Sequence, residues 1–227
     1  MKKLLAATFV ATTLAGAALA SGPIAPIEPY VPPVVPTTYD WTGAYVGLRV
    51  GVPTGENFWT ERSVGAEATP GAWTGTLYGL TAGYDRQHGA LVFGGAIDYT
   101  GGTMSAQSAT SATYNCGAGC DTMVENQYAI RGRIGRAMDR TLVYVTGGFA
   151  SGEATASVTG FGTLGNDRLN GWTAGIGLEH AVNNRFTVSL EYLFTDLGRL
   201  EIPTSCLTNC FTDVSFGTLR IGANLRF

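Results

Sequence analysis

An all-β chain, folded as an eight-stranded antiparallel up-and-down transmembrane β-barrel with short periplasmic turns and long extracellular loops, is the fold class the sequence predicts. Three observations predict it. The final stretch, Phe216 to Phe227, reads F-G-T-L-R-I-G-A-N-L-R-F: Leu219, Ile221, Ala223, Leu225 and Phe227 share one face of a strand, and Thr218, Arg220, Gly222, Asn224 and Arg226 the other. The amino-terminus carries an export signal, and no later stretch approaches the ~18 apolar residues of a membrane helix. Between them lie about eight strand-like runs, joined alternately by short and long connections.

The elements follow in order. Lys2 and Lys3 precede an apolar and small-residue run, Leu4 to Leu19, and Ala18-Leu19-Ala20 fits a small-x-small cleavage site. Residues 1–20 are therefore expected to be a cleaved signal peptide. The run is short and broken by Gly16, which disfavours an uncleaved membrane helix, and Ser21 offers no cysteine for a lipid anchor. Residues 21–39 hold Pro23, Pro26, Pro29, Pro32, Pro33 and Pro36, a density that no sheet or helix interior accepts. They read as an extended periplasmic tether; at about 3.1 Å per residue it reaches roughly 50 Å. A docking role for this segment is the alternative.

Residues 40–227 form the expected barrel. Strands are expected near 41–51, 73–86, 90–100, 125–136, 142–152, 170–181, 186–197 and 215–227, each close to the ~9–11 residues that cross a bilayer at a tilt. Residues 87–89, 137–141 and 182–185 read as turns. Residues 52–72, 101–124, 153–169 and 198–214, rich in Gly, Ser and Thr, read as long loops. The even strand count puts both barrel ends on the tether's side. Composition agrees: charged residues make up 14% of the chain, 32 of its 227 residues are Gly, and mean hydropathy is only +0.12. A soluble surface needs more charge, ~25% being ordinary.

Parity assigns the faces. Val46, Leu48, Val50, Leu80, Ile97, Ile130, Ile134, Ile176, Val188 and Leu190 point outward, while strand five stays ambiguous between Val143, Val145 and Phe149 and the pair Leu142 and Tyr144. Trp41, Tyr84, Tyr99, Trp172, Phe194 and Phe227 are the expected interfacial girdles. Arg49, Arg131, Arg133 and Arg220 alternate inward, as do Asp85, Asp98, Glu179 and Glu191. An eight-stranded barrel is filled by its own side chains, and buried charges must be paired. A plug of Arg–carboxylate pairs between small Gly positions is expected, with Arg131 and Arg133 against Glu179 and Glu191 the favoured partners. An ion path whose pairs exchange is the sharper alternative. Outside the lumen, acidic residues gather in the long loops, and Arg86, Arg136, Arg140, Arg185 and Arg226 at the periplasmic end.

Four cysteines sit in two loops as Cys116-x-x-x-Cys120 and Cys206-x-x-x-Cys210, an even count that in an exported chain favours disulfides. Pairing within each loop is favoured. Cross-pairing would tie a lid across the mouth, and a zinc site has acceptable spacing in an unfavourable compartment. No catalytic constellation emerges. His88 and His180, the two histidines, lie at the periplasmic end, and there is no Gly-x-Ser-x-Gly elbow, phosphate loop or His-Glu-x-x-His helix. No Lys/Arg patch interleaved with aromatics points to nucleic acid. No enzyme activity, cofactor or metal is expected.

D-W-T-G-A-Y-V-G (Asp40 to Gly47), T-A-G-Y-D (Thr81 to Asp85), Y-V-T-G-G (Tyr144 to Gly148), W-T-A-G-I-G-L-E (Trp172 to Glu179) and S-L-E-Y (Ser189 to Tyr192) resemble the small alphaproteobacterial outer-membrane β-barrels of the opacity-protein and surface-antigen "porin family". The resemblance covers about residues 40–227. It implies a monomeric outer-membrane barrel of a Gram-negative envelope that contributes to envelope integrity and surface interactions; some members are described as porins or haem binders. The Pro-rich segment and the loop cysteines depart from the pattern, and, unlike in larger two-domain relatives, no peptidoglycan-binding domain is expected after the barrel. The expected partners are outer-membrane lipid and lipopolysaccharide, and the barrel-assembly machinery through the last strand and its signal residue Phe227. Assembly into a larger complex stays open. A structural and surface barrel is the reading; a narrow porin, or an adhesin acting through the loops, are the alternatives.

Overall fold

In a computed structural model of the chain, residues 39–62, 65–112, 119–202 and 210–227 are described. The expected signal peptide, and the tether except Tyr39, lie outside them. The described chain forms β1 (Gly43–Thr54), β2 (Glu56–Asn57), β3 (Trp59–Glu61), β4 (Gly71–Gly75), β5 (Leu77–His88), β6 (Leu91–Gly101), β7 (Met104–Ser108), β8 (Cys120–Met138), β9 (Thr141–Val158), β10 (Gly162–Ala181), β11 (Phe186–Ile202) and β12 (Cys210–Arg226).

Eight of these strands close a ring. β1 pairs with β5, then β6, β8, β9, β10, β11 and β12 follow in turn, every pairing antiparallel, and β12 returns to β1 from Tyr45↔Arg226 to Thr54↔Gly217. Closure removes the exposed edges of an open sheet. The three connections at one end are tight, as at Gly89 (φ 61°) and Asp139 (φ 51°), where the backbone enters the left-handed region that Gly accepts freely and Asp tolerates. We call this the turn end and the opposite one the loop end.

The loop end departs from expectation. β8 to β12 run for 17–20 residues, whereas β1, β5 and β6 have 11–12. The wall on that side therefore continues well beyond the ~9–11 residues a bilayer requires. The loop expected at 153–169 is mostly a β-hairpin, with a turn at 159–161. β2, β3 and β4 occupy the loop expected at 52–72, β7 lies in that at 101–124, and β11 and β12 absorb much of 198–214. These strands alternate Ala and Gly with Ser, Thr and Glu; on β9, Ala154 and Ala156 are fully buried between exposed or half-buried neighbours. The period of two is present, but small side chains give it little amplitude.

Along the ring, every second side chain faces out. Leu48, Ile130, Ile176 and Ile221 are each more than 60% exposed, and Val143, Val145 and Phe149 join them, which resolves strand five. Leu142 and Tyr144 face the lumen. So broad an apolar belt is out of place in water and suited to a bilayer.

Two apolar clusters close the ends. At the turn end Tyr39, Trp41, Val92, Ala137, Leu142, Tyr144 and Ala181 pack together. At the loop end Trp59, Trp73, Leu77, Met104, Leu197, Leu200, Ile202, Val214 and Phe216 form the centre of a larger core beneath β2, β3, β4 and β7. Polar bonds stitch this cap to the wall: the Trp59 indole donates to Thr122 Oγ1 at 2.9 Å, the Trp73 indole to the Ser215 carbonyl at 3.0 Å, and Asn57 Nδ2 to the Asp213 carbonyl at 2.9 Å. Each buried Leu or Ile here contributes about 1.5–3 kcal/mol.

Candidate functional site: the charged lumen

Between the clusters lies a lumen of charge. On β8, Arg131 and Arg133 flank outward Gly132, so strand alternation alone sends both guanidinium groups inward. Glycines on the same inner face leave room for them. A Cβ at Gly94 would stand 2.2 Å from Asp85 Oδ1, and one at Gly177 would stand 2.3 Å from the Tyr144 ring. At Gly222 it would meet Arg49 Cδ at 2.5 Å. Long polar side chains thus lie across the lumen over glycine floors.

The groups form two layers. Nearer the loop end, Arg131 Nε donates to Asp98 Oδ2 at 2.8 Å and its Nη1 to Glu191 Oε1 at 2.7 Å. Arg220 Nη2 donates to Glu191 Oε2 at 2.5 Å, and the Tyr144 hydroxyl donates to Glu191 Oε1 at 3.4 Å. Nearer the turn end, Arg133 forks onto Asp85, through Nε to Oδ1 at 2.7 Å and through Nη2 to Oδ2, and reaches Glu179 Oε2 with Nη1 at 2.8 Å. Arg226 Nη2 donates to Asp85 Oδ2 at 2.7 Å. Thr187 and Asn224 donate to Glu179 Oε1 at 2.5 and 2.7 Å. The Arg133 guanidinium lies 4.7 Å from the Tyr45 ring centroid and 5.0 Å from that of Tyr144. Forked Arg–carboxylate contacts and cation–π stacking are the strong forms of these interactions.

Several placements differ from the sequence reading. Trp41 is no girdle residue: it is fully buried at the turn end, its backbone N–H donating to Gln87 Oε1 at 2.8 Å and its ring edge-on to Tyr39 at 4.8 Å. The residue precedes the first barrel strand, so strand parity does not govern it. Arg226 belongs to the lumen rather than the charged rim; its Nη2 also donates to the Trp41 carbonyl, and its guanidinium sits 5.3 Å from the Trp41 ring. Its parity with Arg220 was the overlooked signal. Arg49 breaks the expectation that every lumen charge is paired: it donates to Asn224 Oδ1 at 2.7 Å and to the Leu48 carbonyl at 3.1 Å, and it forms no ion pair with a described carboxylate. Tyr45, Tyr144, Thr187 and Asn224 were missed as network members, although each shares parity with an inward residue of its own strand.

The remaining aromatics lie on the outer face. Trp172 and Phe194 pair at 5.5 Å and Tyr99 and Tyr128 at 5.1 Å near the loop end, with Tyr84 and Phe227 at the turn end. The Phe227 N–H donates to the Ala44 carbonyl at 2.9 Å. Cys120 and Cys210 are buried in the cap and are not free thiols; Cys116 and Cys206 lie outside the described residues. Just beyond the aromatic pairs the outer wall is ionic, with Arg168 on Glu153 and Arg199 Nε on Asp213 Oδ1 at 2.9 Å. The Glu153 carboxyl is held below its ordinary value, first by the 2.8 Å hydrogen bond from Asn126 Nδ2 and then by Arg168. Asn126 reaches it from a bulge in β8, with φ 46°.

The chemistry is thus one of fixed charge. The lumen holds no histidine; His88 and His180 are exposed at the turn end, His180 Nδ1 lying 3.0 Å from Thr141 Oγ1. Among the described residues no group of three or more His, Cys, Asp or Glu side chains is arranged to hold a metal.

Comparison with known proteins agrees with this architecture. Residues 7–227 match the family described as outer membrane protein beta-barrel domain. The 31 kDa outer-membrane immunogenic protein of Brucella melitensis biotype 1 is 32% identical over 243 residues, covering 98% of this chain and 97% of the relative. Among solved structures, the outer membrane protein OprG from Pseudomonas aeruginosa superposes with a TM-score of 0.58 at 13% identity, over 84% of this chain and 98% of that one. Neisserial surface protein A gives 0.50 at 17% identity, over 82% and 98%. At these identities the two structures speak for the fold alone.

Proposed function

The chain belongs to the outer membrane protein beta-barrel domain family and is an outer-membrane β-barrel protein, and from that premise we propose that it is a closed structural barrel that anchors a folded β-cap on the cell surface. One observation supports this reading: buried side chains stand at three successive levels along the lumen. Trp41 and Tyr39 fill the turn end, the ion-paired layers fill the middle, and the apolar core fills the loop end. An internal void between the upper ionic layer and the cap measures about 30 Å³, space for a few waters at most. Short turns lie in the periplasm and long loops outside in such barrels. The cap then faces the exterior, in keeping with the word "immunogenic" in the relative's name.

Single-channel conductance of the refolded mature barrel tests this, with Arg131→Ala alongside. A silent wild type and a leaking variant are the expected results. Steady wild-type conductance overturns the closed barrel and makes it a narrow porin whose inner charges select ions.

A second reading, surface recognition, draws on the cap's ordered strands, which offer a rigid face to a partner. Replacing the 159–161 turn and the β2–β4 segment should then abolish binding to host cells or matrix; unchanged binding excludes it. Catalysis has no support from the lumen or from the histidine positions. As partners we propose lipopolysaccharide, whose phosphates would meet Arg168 and Arg199 above Trp172 and Phe194, and the barrel-assembly machinery, which would engage β12 and Phe227. A monomer is the proposed state, a reading supported by the closure of the ring within one chain.

A further inference from the structure

The lumen is not electrically balanced. Its buried charges are Arg49, Arg131, Arg133, Arg220 and Arg226 against Asp85, Asp98, Glu179 and Glu191, an excess of one positive charge. Every Arg here except Arg49 has a carboxylate within ion-pair distance. The loop residues outside the described set, 63–64, 113–118 and 203–209, contain no Asp or Glu, and the amino-terminal residues outside it contain one, Glu28. Arg49 is only 6% exposed and its Nε donor is buried without an acceptor. Beside it lies a small internal void of about 10 Å³, lined by Arg49, Arg131, Arg133, Tyr45, Tyr144 and Glu191 among others. That is room for about one small particle.

We propose that this void is a binding site for a single monatomic anion of the chloride class, held by Arg49. The charge count selects an anion over water. A water molecule would satisfy the Nε donor but leave the buried excess charge uncompensated, and an uncompensated buried charge is strongly destabilising. Arg cannot shed its proton to relieve the excess. Glu191, the one carboxylate on the lining, is already engaged by Arg131, Arg220 and Tyr144 and supplies no further compensation to Arg49. Arg49 on β1 and Arg131 and Arg133 on β8 all line the void, so the site draws on separate parts of the wall. It exists whether or not the barrel conducts.

Two measurements on the mature refolded barrel test the site. Crystals grown in bromide should give an anomalous peak within hydrogen-bonding distance of Arg49 Nε. No peak there, or ordered water in its place, overturns the proposal. In solution, the unfolding midpoint of the wild type should rise when gluconate is exchanged for chloride at equal ionic strength, and the rise should vanish in Arg49→Met, which brings the lumen to four charges of each sign. An equal rise in both proteins overturns the site. If Arg49→Met does not fold, the bromide peak in the wild type decides alone.

Discussion

Glu191→Gln is the most informative single perturbation of the lumen. The substitution keeps the side chain's shape and removes its charge. Glu191 carries two guanidinium groups, Arg131 at 2.7 Å and Arg220 at 2.5 Å, and is 2% exposed. Arg131 would retain Asp98 at 2.8 Å, but Arg220 has no second carboxylate partner among the described residues. Its charge would stay buried and unpaired. Removing one member of a buried pair costs about 3–5 kcal/mol. The amide oxygen of Gln still accepts one bond, so we expect the lower end, about 3 kcal/mol, or more than a hundredfold in the folding equilibrium at ~1.4 kcal/mol per tenfold. Equilibrium urea unfolding of the barrel refolded in phospholipid vesicles measures it. The double variant Glu191→Gln/Arg220→Met removes the stranded charge as well and should recover at least about 2 kcal/mol of the loss. A loss under about 1 kcal/mol in the single variant, or a double variant worse than the single, would refute the view that these charges are held by mutual pairing in a dry interior.

Further outcomes are expected elsewhere. Gly177→Ala puts a methyl group 2.3 Å from the Tyr144 ring and should destabilise by about 1–3 kcal/mol through overpacking; a crystal structure of the variant should show the Tyr144 hydroxyl displaced from Glu191. Leu200→Ala hollows the cap core and should cost about 2–4 kcal/mol, seen as faster proteolysis at the loop end while the membrane-embedded ring stays folded. The Glu153 carboxyl is depressed, so whatever stability it lends is present above the ordinary glutamate range and is lost as pH falls through its lower folded value. Carbon-detected NMR of the carboxyl should find it titrating closer to an ordinary glutamate in Asn126→Ala; an unchanged titration would assign the shift to Arg168 alone.

The ring was legible because its signal is strong: large apolar residues such as Leu48, Ile130 and Ile221 alternate with charge or glycine, and chain export narrows the class. The inward parity of these charges was legible in the same way, but parity does not assign partners: Arg131 meets Asp98 as well as Glu191, and Arg133 meets Asp85 as well as Glu179. What parity cannot reach is anything outside a regular strand. Trp41 sits in the irregular lead-in to β1, and its burial depends on a void at the turn end that only the closed ring creates. The cap was read as loop because Ala154, Ala156, Thr122 and Ser108 bury little surface each; Ala154 and Ala156 are inside because they share a core with Trp59 and Trp73, and Thr122 and Ser108 because they bond to Trp59 and to the Asn57 carbonyl. The unpaired Arg49 was invisible for a different reason, since pairing depends on cross-strand register, and Gly222 rather than a carboxylate stands opposite it.

The continuation of β8 to β12 from membrane to cap also constrains how this surface can change over generations. In a barrel with floppy loops, residues are gained or lost at the surface without consequence. Here a single-residue insertion inside an extended strand, unless a bulge such as that at Asn126 absorbed it, would swap inside for outside over everything beyond it; in β9 it would expose Ala156 and bury its polar neighbours. Length variation is therefore channelled into the hairpin tips, above all 159–161, where Phe161 stands 81% exposed, or into paired insertions that restore parity. Variation in sequence, by contrast, is freer on the outward face of the strand extensions, beyond the apolar belt. An epitope or purification tag spliced at that tip should leave the rest of the protein undisturbed, while the same tag a few residues down either strand should not.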